Sequence, residues 1–142
     1  MKTLYTAHAT ATGAGRNGHV STDDKRLDFD LAMPTALGGA GGATNPEQLF
    51  AAGYASCFHS ALQHVARQHK VDLGSSTVAA SVDLGSDGDG FGLAVALTVV
   101  APDLDAATAQ DLADKAHQTC PYSKATRGNI DVTVTVAKEV AA

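Results

Sequence analysis

A chain of 142 residues with 44% hydrophobic content is long enough to bury the core of one domain, and we predict a single domain over residues 1–142. The formal net charge of -5, without a basic stripe, excludes general nucleic-acid binding. No stretch approaches about 18 consecutive apolar residues, which excludes a membrane span. The N-terminus alternates like a strand and carries no hydrophobic region of the signal-peptide kind, so we expect a cytoplasmic, reducing location.

The first third of the chain predicts short strands followed by a glycine-rich loop. Alternation predicts strands over about residues 3–12, 19–22 and 27–31, and Asn17-Gly18 is a strong hairpin signal. A flexible loop is predicted over residues 34–44. This loop lacks the Gly-Lys-Ser/Thr ending of a phosphate-binding loop, which argues against nucleotide binding.

A long helix is predicted to follow the loop and to end near His69. Thr44 fits the N-cap of a capping box with Glu47, and Asn45 fits as N-cap with Pro46 at the first helical position. Apolar residues at three- and four-residue spacing define one face of this helix. These residues are Phe50, Tyr54, Cys57, Phe58, Ala61, Leu62 and Val65.

The second half predicts two strands, a second helix and a closing strand. The strands cover residues 78–84 and 91–101, and residues 130–136 alternate as the last strand. Asp103 or Asp105 is expected to cap the second helix, whose apolar face ends at Cys120. Pro121 is expected to interrupt or redirect that helix.

The chain has two cysteines, Cys57 and Cys120, and both fall on predicted apolar helix faces. Each can be an inert buried thiol, because burial raises the pKa of a thiol and free cysteine packs as a small hydrophobe. A pair that meets on folding can instead be a peroxide-reactive couple, in which one sulfur is oxidised and the other captures it. A reactive Cys57 needs a cation, since lowering its pKa by two units takes about 2.7 kcal/mol of preferential thiolate stabilisation.

Five segments together carry a recognisable order of residues. They are Leu4-Tyr-Thr-Ala, Ala11-Thr-Gly-Ala-Gly-Arg-Asn-Gly18, Leu37-Gly-Gly-Ala-Gly-Gly, Thr44-Asn-Pro-Glu-Gln-Leu-Phe-Ala-Ala-Gly-Tyr-Ala-Ser-Cys-Phe58 and Ala116-His-Gln-Thr-Cys-Pro-Tyr-Ser-Lys-Ala-Thr-Arg-Gly-Asn129. With these segments the whole chain resembles the organic hydroperoxide resistance proteins, the Ohr subfamily of the OsmC/Ohr family. Lys124 departs from the family pattern, which has Asn there.

The resemblance implies an α+β fold of the OsmC type. Two long central helices pack against antiparallel curved sheets in that fold, and two chains form an intertwined homodimer. The implied activity is that of a thiol peroxidase, which reduces alkyl and fatty-acid hydroperoxides to alcohols in defence against oxidative stress. No metal and no bound cofactor are expected, and reduced lipoyl groups on proteins are the expected electron donor.

The resemblance also implies four catalytic residues. Cys57 matches the peroxidatic cysteine and Cys120 the resolving cysteine, which condense to a disulfide. Arg16 matches the arginine that stabilises the thiolate and polarises the peroxide, and Glu47 matches the carboxylate that holds this arginine. Without the resemblance, Arg16 is explained as a solvated turn residue and Glu47 as a helix cap. Because Glu47 and Cys57 are separated by roughly 15 Å of helical rise, a second hypothesis is that Arg16 and Glu47 act from the other subunit.

An apolar substrate pocket is predicted from Leu37, Phe50, Tyr54 and Phe58. Such a lining favours the binding of an alkyl hydroperoxide over hydrogen peroxide, because transfer of the alkyl chain from water into an apolar pocket is favourable in free energy.

Three alternative functions remain open from the sequence. The first is a metal-binding module, in which His117 and Cys120 share a helix face and Cys57 or His59 adds ligands. Cys57 and His59 point about 200° apart on a helix, which disfavours that set. The second is a non-catalytic dimer that binds a lipid or another small ligand, with the thiols as bystanders. The third is the sister OsmC type of the same family, which shares the chemistry.

Overall fold

The computed structural model describes residues 1–141, and the described residues form six strands and three α-helices. They divide into two compact units, an amino-terminal unit of Met1–Leu49 and a carboxyl-terminal unit that begins at Phe50. The sequence predicted one domain over 1–142, whose last residue lies outside the described residues. Among the described residues, no helix combines the length and apolar character needed to cross a membrane.

The amino-terminal unit contains an antiparallel sheet of three short strands. These are β1 (Ala9–Thr12), β2 (His19–Thr22) and β3 (Asp28–Asp30), which lie in that order. The three strands occur where alternation predicted them, although β1 is shorter than the predicted 3–12. Both faces of β1 and β3 are exposed, so this sheet has little core of its own.

The loop between β1 and β2 is a six-residue connection in place of the two-residue Asn-Gly turn that the sequence suggested. It contains a 3-10 turn at Gly15–Asn17 and ends at Gly18. A Cβ atom on Gly18 would lie 2.1 Å from the carbonyl oxygen of Thr12. Only glycine therefore allows the backbone to close the hairpin here.

Helix α1 spans Pro46–Gln68, and Asn45 caps its N-terminus. The Asn45 Oδ1 atom accepts a hydrogen bond from the backbone N–H of Gln48 at 2.9 Å. Pro46 occupies the first helical position, where a missing N–H costs nothing. The Thr44 hydroxyl bonds the Gln48 side chain instead. Of the two predicted caps, Asn45 is the one that forms.

Replacing Asn45 with alanine is expected to lower the free energy of unfolding by about 1 kcal/mol, because the Gln48 N–H loses its partner. Thr44→Ala is the matched control, expected to stay within about 0.5 kcal/mol of wild type. Urea unfolding followed by circular dichroism measures both. Equal losses in the two variants would contradict the assignment of the cap.

The carboxyl-terminal unit contains a mixed sheet. Strand β4 (Thr77–Ser86) pairs antiparallel with β5 (Phe91–Val100), and β5 pairs parallel with β6 (Val132–Ala137). The expectation of antiparallel sheets alone was wrong for the second pair. Parallel neighbours need a crossover connection, and the helices between β5 and β6 provide it.

Two helices meet at Cys120 in this crossover. Helix α2 spans Ala106–Thr119 and helix α3 spans Pro121–Thr126. Asp105 caps α2 by accepting the backbone N–H of Thr108 at 2.9 Å, which selects between the two predicted caps. Cys120 has extended backbone angles, and Pro121 begins α3. The predicted redirection at Pro121 is confirmed, since proline cannot continue the preceding helix.

The core of the carboxyl-terminal unit joins the apolar faces of α1, α2 and the sheet, which establishes an α+β fold. Small side chains such as Ala113 and Ala116 have no exposed surface and let the helices approach closely. The largest side chains in this core with almost no exposure are Tyr54, Phe58, Leu62, Leu97, Val99, Leu112 and Cys120. Cys57 packs against the same core and keeps part of its surface accessible.

Candidate active site

Arg16 and Glu47 form a two-pronged ion pair inside the amino-terminal unit. Arg16 Nη1 donates to Glu47 Oε2 at 2.8 Å, and Nη2 donates to Oε1 at 2.7 Å. The Arg16 side chain is 36% exposed and that of Glu47 is 15% exposed. A parallel pair of charge-assisted bonds fixes the plane of the guanidinium as well as its position. Glu47 therefore orients an arginine that still reaches solvent.

The backbone around Arg16 is held by its neighbours. Arg16 lies in the 3-10 turn Gly15–Asn17, where Gly15 has a φ of 60°. The Asn17 Oδ1 atom accepts the backbone N–H of Met33 at 3.0 Å, which ties the turn to the segment that follows β3. The turn is therefore anchored on the carboxyl side of the arginine.

The ion pair shifts both partners toward their charged forms. The hydrogen bond from Arg16 holds the pKa of Glu47 below its usual value, against the opposing effect of burial. The hydrogen bond to Glu47 likewise raises the pKa of Arg16. The sign of the pH dependence follows, since the pair is intact at neutral pH and is lost only as the pH falls through the lowered pKa of Glu47.

The two cysteines are in contact inside the carboxyl-terminal unit. Both are free thiols, and the Cys120 Sγ lies 3.6 Å from the Cys57 Sγ. A disulfide has an S–S length of about 2.05 Å, so the two sulfurs need to approach by only about 1.5 Å to form one. Cys120 has no exposed surface, whereas Cys57 is partly exposed. A reagent from solvent therefore meets Cys57 first.

Burial is the largest influence on the Cys57 thiol, and it raises the pKa. The backbone N–H of Tyr122 donates to the Cys57 sulfur and lowers the pKa, while the neighbouring Cys120 raises it. Within this unit the balance favours the protonated thiol. A nucleophilic Cys57 thus needs additional positive charge or further hydrogen-bond donors.

Three aromatic side chains on α1 and α3, the helices next to the two cysteines, pack against one another. The Tyr54 and Tyr122 ring centroids lie 5.7 Å apart, and the Phe50 ring contacts both at 6.1 and 6.4 Å. A Cβ atom on Gly53 would lie 3.0 Å from the Tyr122 hydroxyl, so glycine makes room for that ring. The Tyr122 backbone donor and ring were not among the predicted site residues, and only the Cys-Pro-Tyr order in the sequence pointed to this position.

The four predicted pocket residues have different surroundings. Tyr54 and Phe58 are fully buried and present no surface to a ligand, so the structure places them in the core and corrects their assignment as pocket lining. Phe50 is half-buried and borders a groove of about 440 Å³ that Phe91 also lines. Leu37 is 47% exposed in the amino-terminal unit.

The histidines of the metal-binding alternative bond to hydroxyl groups. His117 Nδ1 lies 2.8 Å from Ser123 Oγ, and His59 Nε2 lies 2.9 Å from Ser76 Oγ. Across residues 1–141, no group of three or more His, Cys, Asp or Glu side chains is arranged to hold a metal ion. The geometry around the sulfurs is that of a dithiol.

Comparison with known proteins identifies the family. The family model for the OsmC-like proteins matches residues 39–135. An organic hydroperoxide resistance protein of Xanthomonas axonopodis pv. citri is 58% identical over 138 residues, which cover 96% of each chain. Crystal structures of an organic hydroperoxide resistance protein from Legionella pneumophila and a putative one from Vibrio cholerae superpose with TM-scores of 0.91 and 0.90. Each is 52% identical in sequence, and the matches cover 96% and 100% of this chain and 99% and 97% of those chains.

The Vibrio structure contains captopril in one of its active sites. Near-complete coverage in both directions means that the sequence and the fold agree over the same residues. The resemblance predicted from the five segments is confirmed, and so is the OsmC-like fold. The chain belongs to the OsmC family, among the organic hydroperoxide resistance proteins.

Proposed function

We propose that this protein is a cysteine peroxidase that reduces alkyl and fatty-acid hydroperoxides to alcohols. The observation that supports this best is the 3.6 Å contact between one partly exposed thiol and one buried thiol in a protein of this family. An accessible sulfur meets the peroxide, and an adjacent sulfur captures the oxidised product. Family membership supports the substrate class, and the contact supports the mechanism.

The first step is attack by the Cys57 thiolate on the outer oxygen of the hydroperoxide. An S–O bond forms, the O–O bond breaks, and the alkoxide leaves and takes up a proton to become the alcohol. Cys57 becomes a sulfenic acid, having lost two electrons to the peroxide. The Tyr122 N–H that bonds the Cys57 sulfur favours the anion at the start of this step.

Arg16 supplies the missing positive charge in this proposal, from the same chain or from the second subunit. A guanidinium stays charged at any relevant pH and donates through a planar fork, which suits a thiolate and a peroxide oxygen together. Glu47 keeps that fork in one orientation. The raised pKa of Cys57 within its own unit is the reason why this charge is needed.

The second step closes the disulfide. The Cys120 sulfur attacks the Cys57 sulfur, an S–S bond forms, the S–O bond breaks, and the hydroxide leaves as water after protonation. A reduced lipoyl group, free or on a protein, then returns both sulfurs to thiols by exchange and leaves as its own disulfide. The incoming thiolate reaches Cys57, because Cys120 is buried.

The working form in this proposal is a homodimer with no metal and no resident cofactor. The amino-terminal unit exposes large apolar side chains, with Leu4 at 89% and Tyr5 at 82%. In the described residues of that unit only Leu31 and Asn45 are buried. Large exposed apolar side chains on a unit with so little core indicate an interaction site, and a second copy of the chain is the partner we propose.

The proposal is tested by mass spectrometry of the reduced protein after one equivalent of cumene hydroperoxide. The expected product is a protein that has lost two hydrogen atoms, with a Cys57–Cys120 link in its peptide map. Dihydrolipoamide is expected to restore the starting mass. A protein that stays reduced would overturn the peroxidase assignment.

The length of the substrate's alkyl chain is expected to affect kcat/KM. We expect kcat/KM for a fatty-acid hydroperoxide to exceed that for hydrogen peroxide, and Phe50→Ala to lower the former about tenfold, because one lost apolar contact changes specificity by this amount. The exposed Val140 offers a matched control, and Val140→Ala is expected to keep wild-type kinetics. Equal activity of wild type with both peroxides would contradict this prediction.

A further inference from the structure

A buried network of hydroxyl groups connects α1, which carries Cys57, with α2 and α3, which flank Cys120. Tyr54 Oη lies 3.0 Å from Ser123 Oγ and 3.0 Å from Thr126 Oγ1, and His117 Nδ1 lies 2.8 Å from Ser123 Oγ. Tyr54 and Ser123 are fully buried, and Thr126 is nearly so. A tyrosine hydroxyl in a core needs partners, so this arrangement is costly to bury unless every member is satisfied.

The donors and acceptors in this network allow only one order of hydrogen-bond donation. Thr126 Oγ1 donates to the Ser123 carbonyl at 3.1 Å, so it must accept its other bond from Tyr54. Tyr54 has one proton and therefore accepts from Ser123. Ser123 in turn accepts from a protonated Nδ1 of His117. Each hydroxyl donates once and accepts once, so the network is complete.

The members of the network lie within about two helical turns of Cys57 or Cys120 along the chain. His117 lies on α2 one turn before Cys120, and Ser123 and Thr126 lie on α3 just after it. Tyr54 lies on α1 one turn before Cys57. The two bonds of Tyr54 therefore hold the α2–α3 corner, with Cys120 and the Tyr122 backbone, against α1, and the bonds of His117 and Thr126 to Ser123 hold the corner together.

We propose that the His117–Ser123–Tyr54–Thr126 network is the positioning device that holds Cys120 against Cys57 for disulfide formation. None of these four side chains bonds a sulfur in residues 1–141, so they act through the backbone of the corner. Removing a hydroxyl leaves its partners unsatisfied and lets the corner move. Misplacement by about 1 Å costs up to about 100-fold in an oriented reaction, so a looser corner lowers the effective concentration of one sulfur toward the other.

This inference rests on the proposed Cys57–Cys120 couple, and its test needs no peroxide. The equilibrium between dithiol and disulfide is measured in buffers of reduced and oxidised dithiothreitol. Tyr54→Phe and Thr126→Val keep shape and remove one hydroxyl each. Both are expected to lower the equilibrium constant for the disulfide about tenfold, which is about 30 mV.

Two variants control for a general loss of packing that does not depend on the hydroxyl network. Thr126→Ser restores the hydroxyl and is expected to return the wild-type value. Ser56→Ala removes a hydroxyl beside Cys57 on the exposed face of α1, where it bonds only carbonyls of its own helix, and is expected to change nothing.

Wild-type constants in Tyr54→Phe and Thr126→Val would overturn the inference, and so would equal shifts in all four variants. The failure of the peroxidase proposal has a different signature. In that case wild type forms the disulfide in the redox buffer and does not react with cumene hydroperoxide.

Discussion

The Cys57→Ser variant is expected to reduce organic hydroperoxides no faster than the uncatalysed background, while Cys120→Ser consumes one equivalent and then stops. Serine has no thiolate to attack the peroxide, so the first step is lost outright. Without Cys120 the first step proceeds and the sulfenic acid has no partner. Peroxide consumption and trapping of the sulfenic acid with dimedone measure the two outcomes.

Burial makes the order of the two roles testable. Cys120 is fully buried and Cys57 is partly exposed, so the roles are not interchangeable. The trapped adduct in Cys120→Ser should therefore map to the peptide with Cys57. Adduct formation in Cys57→Ser in place of Cys120→Ser would contradict the assignment. The reduced forms of both variants should unfold near the wild-type temperature, which excludes misfolding as the cause.

Local chemistry in the sequence was enough to reduce the start of each long helix to two candidate caps and to predict the break at Pro121. Asn45, Asp105 and Pro121 each act on the backbone within a few residues, so their effects are visible without a structure. Pairing direction has no such local signature. The parallel pairing of β5 with β6 depends on how the chain returns across the sheet, and alternation in β6 is the same for either direction.

The sequence predicted which residues form the candidate site, but it did not predict the distances between them. Cys57 and Cys120 were visible as candidates, but their contact at 3.6 Å depends on the corner between α2 and α3. The Tyr122 donor to Cys57 is a backbone group, which a sequence pattern does not reveal. Tyr54 was assigned to a pocket because aromatic periodicity indicates an apolar face and does not distinguish a lining from a core.

Removing the charge of Arg16 is expected to slow oxidation of Cys57 at neutral pH by about 10²–10³-fold, as is typical when an oriented donor to a reacting anion is lost. In Arg16→Ala the thiol keeps the pKa that burial raises, so its thiolate fraction is small at neutral pH. The rate should then climb as the pH rises toward that pKa. The wild-type rate should change little over the same range, since in the proposed mechanism Arg16 already stabilises the thiolate.

Conservative variants distinguish the effect of the positive charge of Arg16 from the effect of the orientation of its guanidinium. Arg16→Lys keeps the charge and loses the fork, so its rate should fall between those of wild type and Arg16→Ala. Glu47→Gln keeps Arg16 charged and weakens the bond that orients it. Arg26→Ala removes another arginine of the amino-terminal unit, exposed on the connection between β2 and β3, and should react as wild type does. Stopped-flow oxidation by cumene hydroperoxide at several pH values measures all four. A flat, wild-type rate in Arg16→Ala would mean that another group stabilises the Cys57 thiolate.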